Sequence, residues 1–546
     1  MRISIYQVLP RLFGNLNATN QKGGTFETNG SGKFEDFTPE RLQEIKELGC
    51  THIWYTGVME HATKSAFGSK IPASNPAIVK GEAGSPYAIR DYYDVAPALA
   101  VEVERRMEEF EALLKRTHAA GLKVIIDFVP NHLSREYASD CKPSYVKDFG
   151  EEDDTSVPFA PDNNFYYLPE ETLTLSCGNE VYTETPAKAT GNDQFTSHPS
   201  HNDWYETVKL NYGIDLAGDW STHYNPVPDT WNKMLDILNY WAAKGVDGFR
   251  CDMAELVPVP FWQWCIQKLK KVYPELLMIA EVYQPERYEE FVLAGFDYLY
   301  DKVGLYDLLV ALLKGRASTN DIGGLLQSQE RVKHRLLRFM ENHDEVRLAS
   351  DFVVGDGEKA FPAMAVTALV DGNPLMTYFG QELGERGMDE EGFSGRDGRT
   401  TIFDYWSVST IREWLLSNGQ KESPLRARYQ SLLGLAQKPL FAEGSFFDLN
   451  YHQPHFAARG LYAFLRAYGK ELALVVVNFY GEGQTVEVAI PPHAFEVVGL
   501  SSEVLRVTQW PDGGETFVRL FSDQHYQLKV PAYGVTAHLF TVNRQQ

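Results

Sequence analysis

The chain has 546 residues with a formal charge of −23, and 44% of them are hydrophobic. That is enough length for two or three domains with sizeable cores. The surface charge repels phosphate backbones and anionic lipid, so neither nucleic acid nor a membrane is an expected partner, while a neutral substrate is admitted. Five cysteines (Cys50, Cys141, Cys177, Cys251, Cys265) without a CxxC pair argue against a disulfide framework or a zinc knuckle. No apolar run approaches the roughly 18 residues of a membrane helix. The N-terminus reads as a strand and not as a secretory leader, so a cytoplasmic protein is expected. Oligomeric state is not legible.

After the N-terminal strand, Thr38-Pro39-Glu40 marks a helix start, with Thr as N-cap and Pro at the first helical position. Leu42, Ile45 and Leu48 share a face, and Gly49 ends the helix before a strand over 51–56. The pattern recurs. Val103, Met107, Phe110 and Leu114 form a stripe, Gly121 stops it, and a strand over 122–128 follows. Trp231, Leu235, Leu238 and Ala242 form another, Gly245 stops it, and a strand over 246–251 follows. A helix over 261–272 leads to a strand over 277–282, and further strands fall at 336–340 and 375–379.

Apolar strands separated by helices predict an α/β fold with a parallel sheet covered on both faces. About eight units fit, which favours a closed (β/α)₈ TIM barrel, and no GxGxxG follows the first strand. Residues 133–215 are rich in Asp, Asn, Ser, Thr and Pro without helical periodicity, predicting an insertion domain after strand 3. After about residue 440 the helices are expected to stop, and segments at 461–466, 472–478, 485–490 and 535–542 predict a C-terminal antiparallel β-sandwich. The expected division is 1–132 and 216–439 for the barrel, 133–215 for the insertion and 440–546 for the sandwich.

Chemistry in such a barrel collects at the C-terminal strand ends. The third strand ends in Asp127-Phe128-Val129-Pro130-Asn131-His132, the fourth in Arg250-Cys251-Asp252-Met253-Ala254-Glu255, the fifth in Glu281, and the seventh in Glu341-Asn342-His343-Asp344. A lone acid there is more often a helix cap or a surface residue. Four strand ends delivering acids and histidines to one mouth instead predict carboxylates with displaced pKa values. These are the donor and nucleophile that glycoside cleavage requires.

These four segments, in order and content, resemble the conserved regions of the α-amylase superfamily. Lys209-Leu210-Asn211, Gly372-Asn373-Pro374, Gly380-Gln381-Glu382 and Pro86-Tyr87-Ala88-Ile89-Arg90-Asp91 extend the resemblance over nearly the whole chain. It implies a retaining hydrolase of α-glucosidic, mainly α-1,4, bonds in starch-type glucans or maltodextrins, with an α-glucanotransferase as the alternative and a non-catalytic binding barrel a distant third. Asp252 would be nucleophile, Glu281 general acid/base, and Asp344 the third acid, gripping sugar hydroxyls and helping keep Glu281 protonated. Arg250 would keep Asp252 ionised from the same strand face.

The resemblance further makes His132 and His343 sugar hydrogen-bond partners and Tyr87 a stacking ring. Asp127 and Asn131 would hold the architecture. For Arg347, support of Asp344 and a structural ion pair both stay open. Cys251 is read as core. Trp54, Trp204, Tyr205 and Trp406 are read as packing, with outer subsites the other reading.

Two departures stand out. Where calcium-dependent relatives carry an Asp that joins the Asn of the first region, this chain has Lys209. No calcium is therefore expected at the interdomain site, and no cofactor for the chemistry. An ion on the Asn-rich stretch 15–29 stays open. Glu255-Leu256 replaces the Lys-His of many endo-acting members, which puts Glu255 among the expected substrate-binding residues and leaves linkage preference and endo or exo action undecided.

Overall fold

The computed structural model describes residues 2–417, 423–498, 504–522 and 524–542. Eight strands close a barrel: β1 (Ser4–Val8), β2 (His52–Tyr55), β3 (Lys123–Phe128), β4 (Gly248–Cys251), β5 (Leu277–Ala280), β6 (Tyr298–Tyr300), β7 (Leu336–Phe339) and β8 (Leu375–Tyr378). Neighbours are parallel and sequential, and β1 joins β2 on one side and β8 on the other. Apart from Lys123 and the half-buried Tyr298, the strand residues from β2 to β8 are buried, as expected of strands covered on both faces.

The helix starts and stops follow local chemistry. Thr38 Oγ1 accepts from the Arg41 N–H at the head of Pro39–Glu47. Gly121 and Gly245, at φ of 76° and 101°, end two helices in the left-handed conformation that a side chain disfavours, and each chain then turns into β3 or β4. The helix Gly357–Leu369 differs from the rest: from Ala360 onward every residue is buried. It is covered by the barrel on one side and by strands of the C-terminal sheet on the other, which explains an apolar sequence without a polar face.

Between β3 and the helix Asp229–Ala243 the chain forms strands and turns. His132–Ser134 pairs antiparallel with Thr207–Lys209, Tyr167–Leu168 with Ala187–Lys188, and Leu173–Cys177 with Glu180–Glu184. The first pair sets His132 directly opposite Lys209.

The C-terminal strands are β9 (Ser445–Asp448), β10 (Leu461–Tyr468), β11 (Glu471–Asn478), β12 (Gln484–Ala489), β13 (Val504–Trp510), β14 (Glu515–Arg519), β15 (His525–Val530) and β16 (Gly534–Val542). They form one sheet in the order β9-β10-β11-β16-β13-β14 and a second pair, β12-β15, all antiparallel. Leu474, Val476 and Phe540 from the larger sheet share a core with Val486, Val488 and Leu528 from the smaller. The expectation that helices stop near 440 is corrected: Pro439–Ala442 and Pro492–Val498 are helical, both short and both opened by proline at the first turn.

Candidate active site

The β4 ladder carries Arg250 and Asp252 on one face, two residues apart. Arg250 Nη1 donates to Asp252 Oδ1 at 2.6 Å. The same guanidinium lies 2.8 Å from Glu281 Oε1 through Nη2, 4.0 Å from Asp344 Oδ2 and 3.5 Å from Asp127 Oδ1. Trp54, Tyr87 and Tyr300 rings surround it at 5.3–5.5 Å, and Tyr300 Oη accepts from its Nε. Arg250 is thus shared by both carboxylates and is not dedicated to Asp252. Cys251 faces the other way, into the core.

Directly after Asp252, Met253 adopts a left-handed conformation (φ 42°) that is rare for a side-chain-bearing residue. The turn aims the Met253 N–H at Glu281 Oε2, 2.7 Å away. Tyr283 Oη donates to Glu281 Oε1 at 2.6 Å. Burial raises the Asp252 carboxyl well above its usual range; Arg250 opposes this and Glu281 reinforces it. The low-water setting pushes Asp344 up to about 7, with Glu281 adding and Arg250 opposing, although its side chain is 39% exposed at the mouth. Of the carboxylates around this guanidinium, Asp127, Asp252 and Asp344 are thus pushed toward the protonated form by burial, with Arg250 opposing each shift.

His343 receives the Gln7 amide at Nδ1 (2.8 Å), and its Nε2 lies 2.5 Å from Tyr87 Oη and 3.0 Å from Asp344 Oδ2. Burial and Arg250 hold the imidazole neutral. His132 is also neutral, its pKa lowered to about 3 by burial, Lys209 and Lys80. Asp127 acts as a hub: Trp54 Nε1, the Gly57 N–H and Tyr87 Oη all donate to it, and burial raises its carboxyl to about 6.

A pocket of about 230 Å³ opens over these groups. Asp252, Glu281, Asp344, Tyr87 and His132 line it, together with Lys80, Trp204, Glu206, Tyr283 and Phe403. Trp204, which packs against His132 at 5.1 Å, is the one of the four flagged aromatic residues that reaches it. Trp54 and Trp406 are buried, and Tyr205 lies beneath Lys80.

Two expectations are corrected. Arg347 is fully buried, donating to Glu341 Oε2 (2.8 Å), Thr400 Oγ1 (2.8 Å) and the Phe379 carbonyl (2.9 Å), so of its two readings the structure has the internal ion pair. Glu255 does not line the pocket: its Oε2 accepts the Tyr283 N–H at 2.9 Å and its carbonyl accepts from Arg287. Sequence reasoning missed Gln7, Lys80, Glu206, Tyr283 and Tyr300. Gln7 stands on β1 and Tyr300 on β6, a strand with no apolar run to mark it in the sequence. Tyr283 stands two residues after Glu281, a spacing that pointed back toward the acid.

At the base of the excursion, Lys209 Nζ lies 2.5 Å from Asn131 Oδ1, 2.7 Å from Asp193 Oδ1 and 3.5 Å from the Leu256 carbonyl. An ammonium, and no ligand atom, thus faces Asn131. In the stretch 15–29, the Oδ1 atoms of Asn15, Asn17 and Asn29 each accept a backbone N–H, and their amides bond to carbonyls of Trp406, Thr28 and Tyr405. Elsewhere Asp91, Asp94, Asp140 and Cys141 bring ligand atoms within 4.8 Å of one another. Arg106 already supplies a cation there, donating to Asp94 Oδ2 through Nε (2.8 Å) and reaching Cys141 Sγ at 3.7 Å. Among the described residues the cysteines are free thiols, and no helix is long and apolar enough to cross a membrane.

A closed parallel barrel with acids from β4, β5 and β7 around one arginine defines the class of carboxylate-based barrel sites. The family model described as Alpha amylase, catalytic domain, matches residues 7–414, and the chain belongs to that family. It is 25% identical over 350 residues to Alpha-amylase 3 of Dictyoglomus thermophilum, covering 59% of each chain. It is 23% identical over 496 residues to a cyclomaltodextrin glucanotransferase of Geobacillus stearothermophilus, covering 87% of this chain and 59% of that one. The chain thus spans about three-fifths of the length of these relatives. The crystal structure of a noncanonic maltogenic alpha-amylase, AmyB from Thermotoga neapolitana, superposes with a TM-score of 0.64 at 19% identity, covering 99% of both chains, which establishes a shared fold.

Proposed function

We propose that this chain is a retaining glycoside hydrolase of α-1,4-linked glucans or maltodextrins. The observation that carries the reading is the Arg250 guanidinium holding Asp252 at 2.6 Å and Glu281 at 2.8 Å, with Asp344 at 4.0 Å over the same pocket. Close pairing of two carboxyl groups, about 5–5.5 Å apart, is what a retaining double displacement uses. Asp252 attacks the anomeric carbon as Glu281 gives its proton to the leaving glycosidic oxygen. Water then attacks the glycosyl–Asp252 ester, losing a proton to Glu281, and both carboxyl groups return to their starting states. Asp344 accepts from sugar hydroxyls, neutral His132 and His343 bond the same ring, and Tyr87 offers it an aromatic face.

No step needs a metal. The Lys209 ammonium between Asn131 and Asp193 supplies the positive charge at the base of the excursion, so these residues do not fit a calcium ion there.

Chromatography of products from starch, pullulan, cyclodextrin and maltotriose tests the reading. Shortened α-1,4 oligosaccharides are expected, and Asp252→Asn and Glu281→Gln should each lower turnover at least about 10³-fold with the fold intact. Near-normal turnover in either variant would falsify the assignment. Growth of chains longer than the maltotriose supplied would instead establish transfer, the activity named for the Geobacillus stearothermophilus relative.

A further inference from the structure

Glu281 has two oxygens and three close donors. Oε2 receives the Met253 N–H at 2.7 Å; Oε1 receives Tyr283 Oη at 2.6 Å and lies 2.8 Å from Arg250 Nη2. The amide is fixed by its turn, and the guanidinium is divided between Glu281 and Asp252. The Tyr283 hydroxyl is the donor of the three that is neutral, free to rotate about its C–O bond and undivided. Its backbone is pinned: the Tyr283 N–H donates to Glu255 Oε2 at 2.9 Å, and Arg287 Nη1 holds the Glu255 carbonyl at 2.8 Å. Glu255, expected among the substrate-binding residues, thus has a local purpose behind the pocket.

We propose that Tyr283, held in place by Glu255, is a positioning residue that stabilises Glu281 as the carboxylate base between the two chemical steps. This rests on the reading of Glu281 as general acid/base. When Glu281 has given its proton to the leaving oxygen, the resulting carboxylate sits in a pocket with little water. A phenol donating to Oε1 stabilises that anion and fixes its orientation toward the incoming water. As the water's proton reaches Glu281, the hydroxyl rotates away; Tyr283 keeps its own proton throughout. The same hydrogen bond makes the acid form harder to hold. The arrangement therefore trades alkaline range in the first step for a base that is ionised and held in line with the incoming water in the second.

The test is the pH profile of kcat/KM with maltotriose, whose alkaline limb reports loss of the proton that the free enzyme's acid needs. Tyr283→Phe keeps the ring and deletes the donor. Its alkaline limb is expected to move up by about one pH unit, the scale of one hydrogen bond to a charged group. Its kcat is expected to fall with KM little changed. Glu255→Ala should move the limb the same way by less, and should add nothing in the Tyr283→Phe background. A role confined to packing would lower thermal stability and alter KM while leaving the limb in place, and that result overturns the proposal. If Tyr283→Phe fails to fold, Glu255→Ala alone decides by the same readout. Glu281→Gln separates the two levels. Substantial turnover in it removes the acid/base reading itself, whereas an inactive Glu281→Gln beside an unmoved limb in Tyr283→Phe removes only the role given to Tyr283.

Discussion

At the scale of single residues, the site is organised by one cation among several acids. Arg250 is buried and touches carboxylates from β3, β4, β5 and the end of β7, so no pair in the group is independent. Asp344, raised to about 7, binds a proton in the folded chain over a range where the unfolded chain has released it. Folding stability from this group is therefore fully present below about pH 4 and is lost as pH rises toward 7. Asp344→Asn removes that loss. Its Tm is expected to match the parent near pH 4 and exceed it at pH 7.5, while turnover collapses. A Tm difference that does not vary with pH would show that the acid carries no such penalty. The residues that bear the charge were legible because four strand ends deliver acids and histidines to one mouth, a convergence that helix caps and surface acids do not explain. Their partners Tyr283, Tyr300 and Gln7 were not, because an aromatic or amide residue near a strand end is equally suited to the core.

At the scale of elements, the excursion after β3 is fastened to the barrel by its first strand pair, which sets Lys209 beside Asn131. The Lys209 side chain is only 3% exposed, and its partners Asn131 and Asp193 differ in exposure, Asp193 being 40% exposed. Lys209→Ala leaves a buried amide oxygen without its donor and should cost about 2–4 kcal/mol in chemical denaturation, somewhat below the value for a fully buried pair. A chelator should leave both Tm and activity of the parent unchanged; reversible loss on chelation would restore calcium to the account.

Element existence was readable where helix caps and stop glycines punctuate the chain, as at Thr38, Gly121 and Gly245. β6 escaped because Tyr298–Tyr300 is three residues long and lacks an apolar run. The short helix Pro492–Val498 escaped because it lies between strands whose alternation dominates the segment. The strand pairings inside the excursion were unreadable for a further reason: two-residue pairs such as Tyr167–Leu168 with Ala187–Lys188 have no period to detect.

At the scale of the whole molecule, the barrel and the C-terminal sheet meet across the helix Gly357–Leu369. Arg466 on β10 crosses this junction, donating to the carbonyls of Val370 (2.5 Å), Phe441 (2.7 Å) and Gly444 (2.7 Å) with almost no exposure. Arg466→Ala orphans those carbonyls and should lower stability by about 3–5 kcal/mol. Its kcat/KM at 25 °C should be unchanged, because the junction is remote from the pocket. Loss of activity without loss of stability would mean that the junction communicates with the site.

The claim on which all three scales depend is that Asp252 forms the covalent bond and that Glu281 and Asp344 do not. Trapping with a 5-fluoro-α-glucosyl fluoride, followed by peptide mass spectrometry, reads this directly. A glycosyl adduct on Asp252 is the predicted result, and an adduct carried instead by Glu281 or Asp344 would contradict the account.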